Sequence, residues 1–315
     1  MYNDFENYIN KLFKLSYDNI VNVLNNGEYS NINQDFIYKL WYKNNHKYCF
    51  KISNMIGKAF GLYDFTNEYS NINNTTLNNI DFKSIDNQLK NKGYYILKNK
   101  IKEDNCNKII NQIENYNNCY RQKNNLNWIN SQDYIAKIPE VMDIATDPLL
   151  LQIAQNYLGC NPILDQTNFW ISKESNVIDQ TQIFHQDYDD IIFLKIFIYL
   201  NDVGEDNGPH SYISNSLNNM KEPYGYEPSQ RLKNSFVNKN YKNDIITHLG
   251  KKGTIIIEDT RGYHKGSPVK KGVRNMLQLQ YCATCLPFQQ GNKFSKLKKN
   301  KFMKRYPICF LKYSD

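Results

Sequence analysis

From residue 163 onward the sequence is a succession of short apolar runs with no helix-length pattern between them, and this restricts the fold more than any other feature. The runs are Ile163–Ser172, Ile191–Leu200, His210–Ile213, Thr254–Asp259 and Asn275–Tyr281. Each is short and bounded by turn-forming residues. Strands joined by loops pair antiparallel, so the expectation is a sandwich or jelly roll rather than a parallel α/β sheet. Two runs also say how their side chains divide, because alternate residues of a strand face opposite ways. Ile192, Leu194, Ile196, Ile198 and Leu200 form an aliphatic face, against Ile191, Phe193, Lys195, Phe197 and Tyr199 on the other. Likewise Arg274, Met276, Gln278 and Gln280 share a polar face opposite Leu277, Leu279 and Tyr281. A lysine in the middle of a buried strand needs a partner. Lys195 therefore either reaches an anionic co-substrate or substrate in the barrel mouth, or pairs with a nearby Asp or Glu.

The chain before these strands is helical in pattern. Phe5, Ile9, Leu12 and Phe13 recur at helical spacing after a possible cap at Asn3 or Asp4, and Phe36, Ile37, Leu40 and Trp41 repeat the pattern. The Asn-, Thr- and Ser-rich segment 67–79 reads as a boundary. The expected organisation is a helical extension over 1–80, a β-rich domain over 81–287 and a basic tail over 288–315. The second part opens with a short helix from Ile85, a strand at Tyr94–Leu97 and a helix with apolar positions Ile109, Ile110 and Ile113. Asp147, Pro148 and Gly159 then supply the N-cap, first-turn proline and C-terminal glycine of a helix.

Of the 315 residues, 41% are hydrophobic and 14% aromatic, ample for a buried core and unlike a disordered chain. Met1 to Ile20 carries Asp4, Glu6 and Asp18 without an uninterrupted apolar run, so neither a signal peptide nor a spanning segment is expected. Seven cysteines without framework spacing fit a reduced, cytoplasmic setting. The pair Cys282 and Cys285 is read as a strand end, since nothing nearby completes a zinc site. The net charge of +8 is partly local, concentrated in the run from Lys293 to Arg305. That run reads as a solvated tail or helix face; its functional alternative is attraction to an anionic substrate, an anionic surface or nucleic acid, and no nucleic-acid module accompanies it.

The chemistry concentrates at Phe184-His185-Gln186-Asp187. A histidine and a carboxylate two residues apart face the same way on an extended backbone. A second histidine, His264, comes some 80 residues later in Gly262-Tyr263-His264-Lys265-Gly266. Two histidines and one carboxylate form the facial triad that binds Fe(II) and leaves coordination positions open. His46, His210 and His248 are read as packed or surface residues. Asp189 shares the alternation of 185 and 187, but the closer spacing favours Asp187 as the ligand; Asp189 and Asp190 are read as ordering the loop or meeting a cation.

These residues carry a resemblance. The stretch from His185 to Ser216, with its Asn207-Gly208-Pro209 turn, and the stretch from Gly253 to Cys282, where His264 is followed ten positions on by Arg274, together resemble the phytanoyl-CoA dioxygenase family of Fe(II)- and 2-oxoglutarate-dependent oxygenases. The entry Gly93–Asn99 and the helix after Asp147 are similar to that family's opening, so the likeness spans about residues 85–285. It implies a mostly β fold with flanking helices (α+β) and a double-stranded β-helix, jelly-roll or cupin-like core. It implies that His185, Asp187 and His264 bind Fe(II), that Arg274 grips the distal carboxylate of 2-oxoglutarate, and that O2 is the oxidant. Gln186 falls at a position that contacts 2-oxoglutarate in relatives, an outward-facing amide being the alternative. A guanidinium suits the role given to Arg274, since it clamps a carboxylate with two parallel bonds.

The reaction implied is hydroxylation of a C–H bond of a small molecule, with succinate and CO2 released. A small residue at position 187 would suggest halogenation; the carboxylate favours hydroxylation. Where many relatives read Pro-Gly-Ser-His, this chain has Ser214-Asn215-Ser216-Leu217, which bears on loop shape and substrate rather than metal. The polar segment from Asn218 to Thr247, with Tyr224, Tyr226 and Arg231, is expected to be a lid or specificity loop, and Cys119–Lys137 the opposing wall. An oxygenase acting on protein or nucleic acid, or a non-catalytic binding module, are the alternatives; the substrate and the oligomeric state are not written in the sequence.

Overall fold

Antiparallel pairing organises the chain, as the alternating runs require. The computed structural model describes residues 2–26, 48–98, 100–115, 120–123, 126–129, 132–176, 178–223, 230–284 and 301–313. These residues contain twelve strands: β1 (Tyr69–Ser70), β2 (Thr75–Thr76), β3 (Tyr94–Leu97), β4 (Tyr120–Lys123), β5 (Leu126–Ile129), β6 (Ile163–Lys173), β7 (Phe193–Tyr199), β8 (His210–Ile213), β9 (Ile245–His248), β10 (Ile255–Glu258), β11 (His264–Gly266) and β12 (Val273–Cys282). A seven-stranded sheet runs β3-β10-β7-β12-β6-β5-β4, and a three-stranded sheet runs β11-β8-β9. Facing each other, the two make a jelly-roll core with helices flanking the larger sheet. The expected fold class is the observed one.

The two-faced strands explain how the larger sheet is covered. Leu194, Ile196 and Ile198 of β7, Ile255 and Ile257 of β10, and Leu277, Leu279 and Tyr281 of β12 are buried in one cluster with Leu149, Leu150 and Ile153 of helix Pro148–Leu158. Burying each such side chain stabilises the fold by about 1.5–3 kcal/mol. That helix has the expected ends: Asp147 accepts from Leu149 N at 2.9 Å, and Gly159 closes it at φ 72°. The opposite face of the sheet looks into the barrel, where Phe197, Tyr199, Ile256 and Met276 form a separate cluster with Trp170 against it.

The N-terminal stripe is observed in helix Tyr2–Asn26, whose Ile9, Leu12, Ile20 and Val23 are buried in the same cluster as the sheet. The helix begins before Asn3, so neither proposed cap residue precedes it, a shift of one or two positions. Residues 36–41 lie outside the described residues, as do Tyr224, Tyr226, Cys285 and positions 293–300. Segment 67–79 carries the β1–β2 hairpin and a 3-10 turn at Leu77–Asn79. At the other end, Met303, Tyr306, Cys309 and Phe310 are buried in the main cluster, with Tyr306 against Tyr63 and Phe65. Within the basic run Lys304 and Arg305 are exposed and Met303 is buried, and the residues after it dock the end of the chain on the body. No helix among the described residues is long and apolar enough to cross a membrane.

Candidate metal centre

Three backbone bonds bring the sequence-distant ligands together. His185 and His264 are direct cross-strand partners, each N–H donating to the other's carbonyl at 3.0 Å, and Asp187 N donates to Thr260 O at 2.9 Å. Residues 185–187 thus run antiparallel to 260–264, and the two-residue spacing aims His185 and Asp187 to one side. The ligating atoms of His185, Asp187 and His264 all lie within 4.8 Å of one another. The imidazole centroids are 4.3 Å apart.

The surroundings prepare these groups for a cation. His185 Nδ1 lies 2.8 Å from Ile183 O and His264 Nδ1 3.1 Å from Gly262 O. A carbonyl only accepts, so each Nδ1 carries the proton and each Nε2 presents a lone pair toward Asp187, the arrangement a metal-binding imidazole needs. Burial, followed by the neighbouring His264, holds His185 well below the usual histidine pKa. For His264 burial acts the same way but is outweighed by the Asp187 carboxylate, which raises it. Burial would raise Asp187; the Lys195 ammonium, then His264, outweigh it and keep that carboxylate ionised.

Of the two roles open to Lys195, the pairing with acids is the one seen. Its Nζ lies 2.6 Å from Asp187 Oδ2 and 2.7 Å from Asp189 Oδ2. Asp189 therefore meets a cation, while Asp190 orders the chain by accepting from Ile191 N at 2.6 Å and Thr284 N at 2.8 Å. Gln186 is 3% exposed, which excludes the outward-facing amide. Its Nε2 donates to Arg261 O at 2.8 Å and its Oε1 accepts from Tyr188 Oη at 3.0 Å, so both ends of the amide are bonded within the chain.

Arg274 is buried on the interior face of β12, 4% exposed. One guanidinium nitrogen donates to Gly208 O in the Asn207-Gly208-Pro209 turn and the other to Ser172 Oγ at 3.0 Å, while Nε has no partner among the described residues. Among the described residues no carboxylate pairs with it, and burial lowers its pKa. The guanidinium lies over Gly266, where an added Cβ would fall 2.9 Å from Nη2. Gly266 is two residues from His264 on β11, so the cation and the second imidazole share one side of that strand.

Supporting groups escaped the sequence reading. Arg261 and Asp259 form an ion pair with both side chains 0% exposed, Arg261 Nε lying 2.9 Å from Asp259 Oδ1, and Tyr157 Oη also donates to Asp259. This anchors the loop that leads into Tyr263 and His264. His210 and His248, read as packed or surface residues, are buried and flank Glu258: His210 Nε2 is 2.8 Å from Oε2 and His248 Nε2 3.0 Å from Oε1. Burial raises Glu258, but the two imidazoles outweigh it and hold it below the usual range. The His210 ring stacks on His264 with centroids 5.7 Å apart. An Asp-x-Arg signal was present at 259–261, but its partner Tyr157 lies a hundred residues away.

The expected lid is only partly polar. Leu232, Val237 and Tyr241 pack with Phe184 and Tyr263, the residues beside the two histidine ligands, and Leu232 N donates to Phe184 O at 2.9 Å. Helix Asn234–Tyr241 and strand β9 were both missed inside this segment. Of Cys119–Lys137, strands β4 and β5 form a hairpin that extends the larger sheet.

Solved structures share this architecture. The epimerase SnoN, determined in complex with Fe3+, alpha-ketoglutarate and nogalamycin RO, is 13% identical with a TM-score of 0.51, covering 64% of this chain and 82% of its own. EctD from S. alaskensis, determined with 2-oxoglutarate and 5-hydroxyectoine, is 16% identical with a TM-score of 0.50, covering 70% and 81%. At such identities the likeness establishes the fold. No protein-family profile matches the sequence, and neither does any curated protein sequence.

Proposed function

We propose that this chain is an Fe(II)- and 2-oxoglutarate-dependent oxygenase that hydroxylates a C–H bond of a small molecule, with succinate and CO2 as co-products, and that it stands near the phytanoyl-CoA dioxygenases its motifs resemble. One observation carries the reading: His185, Asp187 and His264 converge within 4.8 Å on the same side of β11 as a buried guanidinium that meets no carboxylate among the described residues. The donor set fits ferrous iron, since both imidazoles offer Nε2 and Asp187 is ionised. The pocket at Arg274 fits a co-substrate carboxylate, with an orphaned buried Nε and a glycine where a side chain would collide. Both fold relatives were determined with 2-oxoglutarate.

Iron, 2-oxoglutarate and O2 together supply the oxidation of a strong C–H bond, chemistry that belongs to the cofactor. The chain's own contribution is placement and shielding. Ile183 O and Gly262 O fix the tautomers of His185 and His264. Lys195 ties down Oδ2 of Asp187 and keeps it charged, and Asp189 balances Lys195. Arg274 orients the distal carboxylate of the co-substrate. Phe197, Tyr199, Ile256 and Met276 keep the barrel interior dry. The carboxylate at 187 makes the third protein donor, which supports hydroxylation over halogenation. The test is aerobic turnover of 2-oxoglutarate by purified protein: succinate should form with Fe(II) and vanish in His185→Ala and Asp187→Ala. Equal succinate from wild type and both variants would refute the proposal.

A further inference from the structure

Part of the barrel interior is built for a ligand that neither iron nor a dicarboxylate explains. Opposite β12, strand β6 presents Asn168, Trp170 and Ser172 to the interior; Trp170 Nε1 donates to Gln278 Oε1 at 2.9 Å and Ser172 accepts from Arg274. Further along, the pairing slips between Gln280 and Tyr281, so that Asp165 and Gln166 both stand against Gln280. A bulge of this kind re-aims a side chain, and Asp165 is turned to accept from Gln280 Nε2 at 2.9 Å. Two amide oxygens are left over. Asn168 Oδ1 and Gln280 Oε1 are buried with no hydrogen-bond partner among the described residues, on residues 2% and 0% exposed. The amide of Gln280 cannot be reversed, because its nitrogen is needed by the Asp165 carboxylate. A buried acceptor without a donor is costly and so calls for a partner.

This wall adjoins the metal centre. Gln280 pairs in register with Lys195, one strand spacing away, and Lys195 touches Asp187. Asp187 and Asp189 meet the ammonium of Lys195 at 2.6 and 2.7 Å, and Asp165 lies near Asp189 and Asp190. An anionic group brought to this end would meet carboxylates, whereas a hydroxyl or ammonium would find acceptors.

We propose that Asp165, Asn168 and Gln280 form the substrate-recognition wall, and that the substrate is a neutral or cationic molecule rich in hydrogen-bond donors, a polyol or amino alcohol, rather than a fatty acyl or carboxylate compound. The assignment rests on the oxygenase reading and gives it a substrate class. It departs from the anionic substrate considered for the basic run.

The experiment uses the full chain loaded anaerobically with Fe(II) and 2-oxoglutarate. Glucosamine, 2-deoxystreptamine and myo-inositol are compared with octanoate, adipate and hexanoyl-coenzyme A, reading the perturbation of the ferrous charge-transfer band and then succinate in air. The donor-rich set should perturb the band and stimulate succinate. Asn168→Leu should weaken that response about tenfold or more, with a loss of Tm no larger than the bond from Asn168 Nδ2 to Gln166 Oε1 at 3.0 Å accounts for. Asp165→Asn should weaken the amines more than inositol. A response confined to the acidic set, silence from the donor-rich set with the band intact, or donor binding untouched by both variants overturns the substrate class alone. Absence of the band in wild type removes the oxygenase reading together with it.

Discussion

Arg274 is the residue whose role is easiest to isolate. A charge-assisted bond to a carboxylate is worth about 1.5–3 kcal/mol, so Arg274→Ala should raise the 2-oxoglutarate concentration for half-maximal succinate formation about tenfold or more. Iron affinity should be preserved; unchanged saturation would remove Arg274 from the site. Gly266→Ala makes a sharper case, because its methyl would fall 2.9 Å from Nη2 and 3.2 Å from Nη1 and push the guanidinium aside. The same rise in 2-oxoglutarate requirement is expected, although residue 266 carries no charge. Asp190 gives a pH signature. Burial pushes its pKa from 3.8 up to about 7, so between these values the folded chain holds a proton that the unfolded chain has released. Stability from this group is greatest at low pH and falls as pH rises through that window. Asp190→Asn should therefore flatten the fall in Tm between about pH 4 and 7; an unchanged slope would contradict the assignment. At this scale the sequence was most legible where spacing alone acts. His185 and Asp187 share a face because they are two apart, whereas the bond of Lys195 to Asp189 depends on a loop geometry that no periodicity encodes.

Strand β11 and the loop before it decide whether the site exists, because they carry His264 across to His185. The anchor is the ion pair of Arg261 and Asp259 with Tyr157, sealed from water. Breaking such a pair from one side leaves an uncompensated buried charge, so Arg261→Met should cost about 3–5 kcal/mol by urea denaturation. A loss below about 1 kcal/mol would show that the loop is held otherwise. Elements with strong local signals were read within a residue or two. Helix Pro148–Leu158 has its cap, proline and glycine in sequence, and β7 and β12 announce both faces by alternation. Strand β9 was not read, because Ile245-Ile246-Thr247-His248 is short, ends a polar segment, and gains its status by pairing with β8. The bulge at Asp165 was hidden for a related reason: a register slip is a property of two strands and cannot be seen in one.

Across the whole molecule, one continuous apolar cluster joins helix Tyr2–Asn26, the outer face of the larger sheet and the C-terminal turn around Phe310. Shared burial of this extent predicts a single cooperative urea transition, with far-UV circular dichroism and tryptophan fluorescence coinciding; two separated transitions would mean that the N-terminal helices fold on their own. The jelly roll was legible because strands without intervening helices leave few arrangements. The docking of both ends onto it was not, since the partners of Ile9 and Phe310 lie far along the chain. The two faces of the larger sheet divide in the same way, aliphatic outward under the helices, and inward an apolar cluster around Phe197 and Met276 beside polar residues such as Lys195 and Arg274. Anaerobic titration of the full chain with Fe(II), then with 2-oxoglutarate, tests the grouping of His185, Asp187 and His264 with Arg274 most directly. One iron should bind per chain, with a weak visible charge-transfer band appearing on addition of 2-oxoglutarate and lost in His264→Ala. Wild-type protein that binds no iron, or binds it without producing the band, would contradict the account.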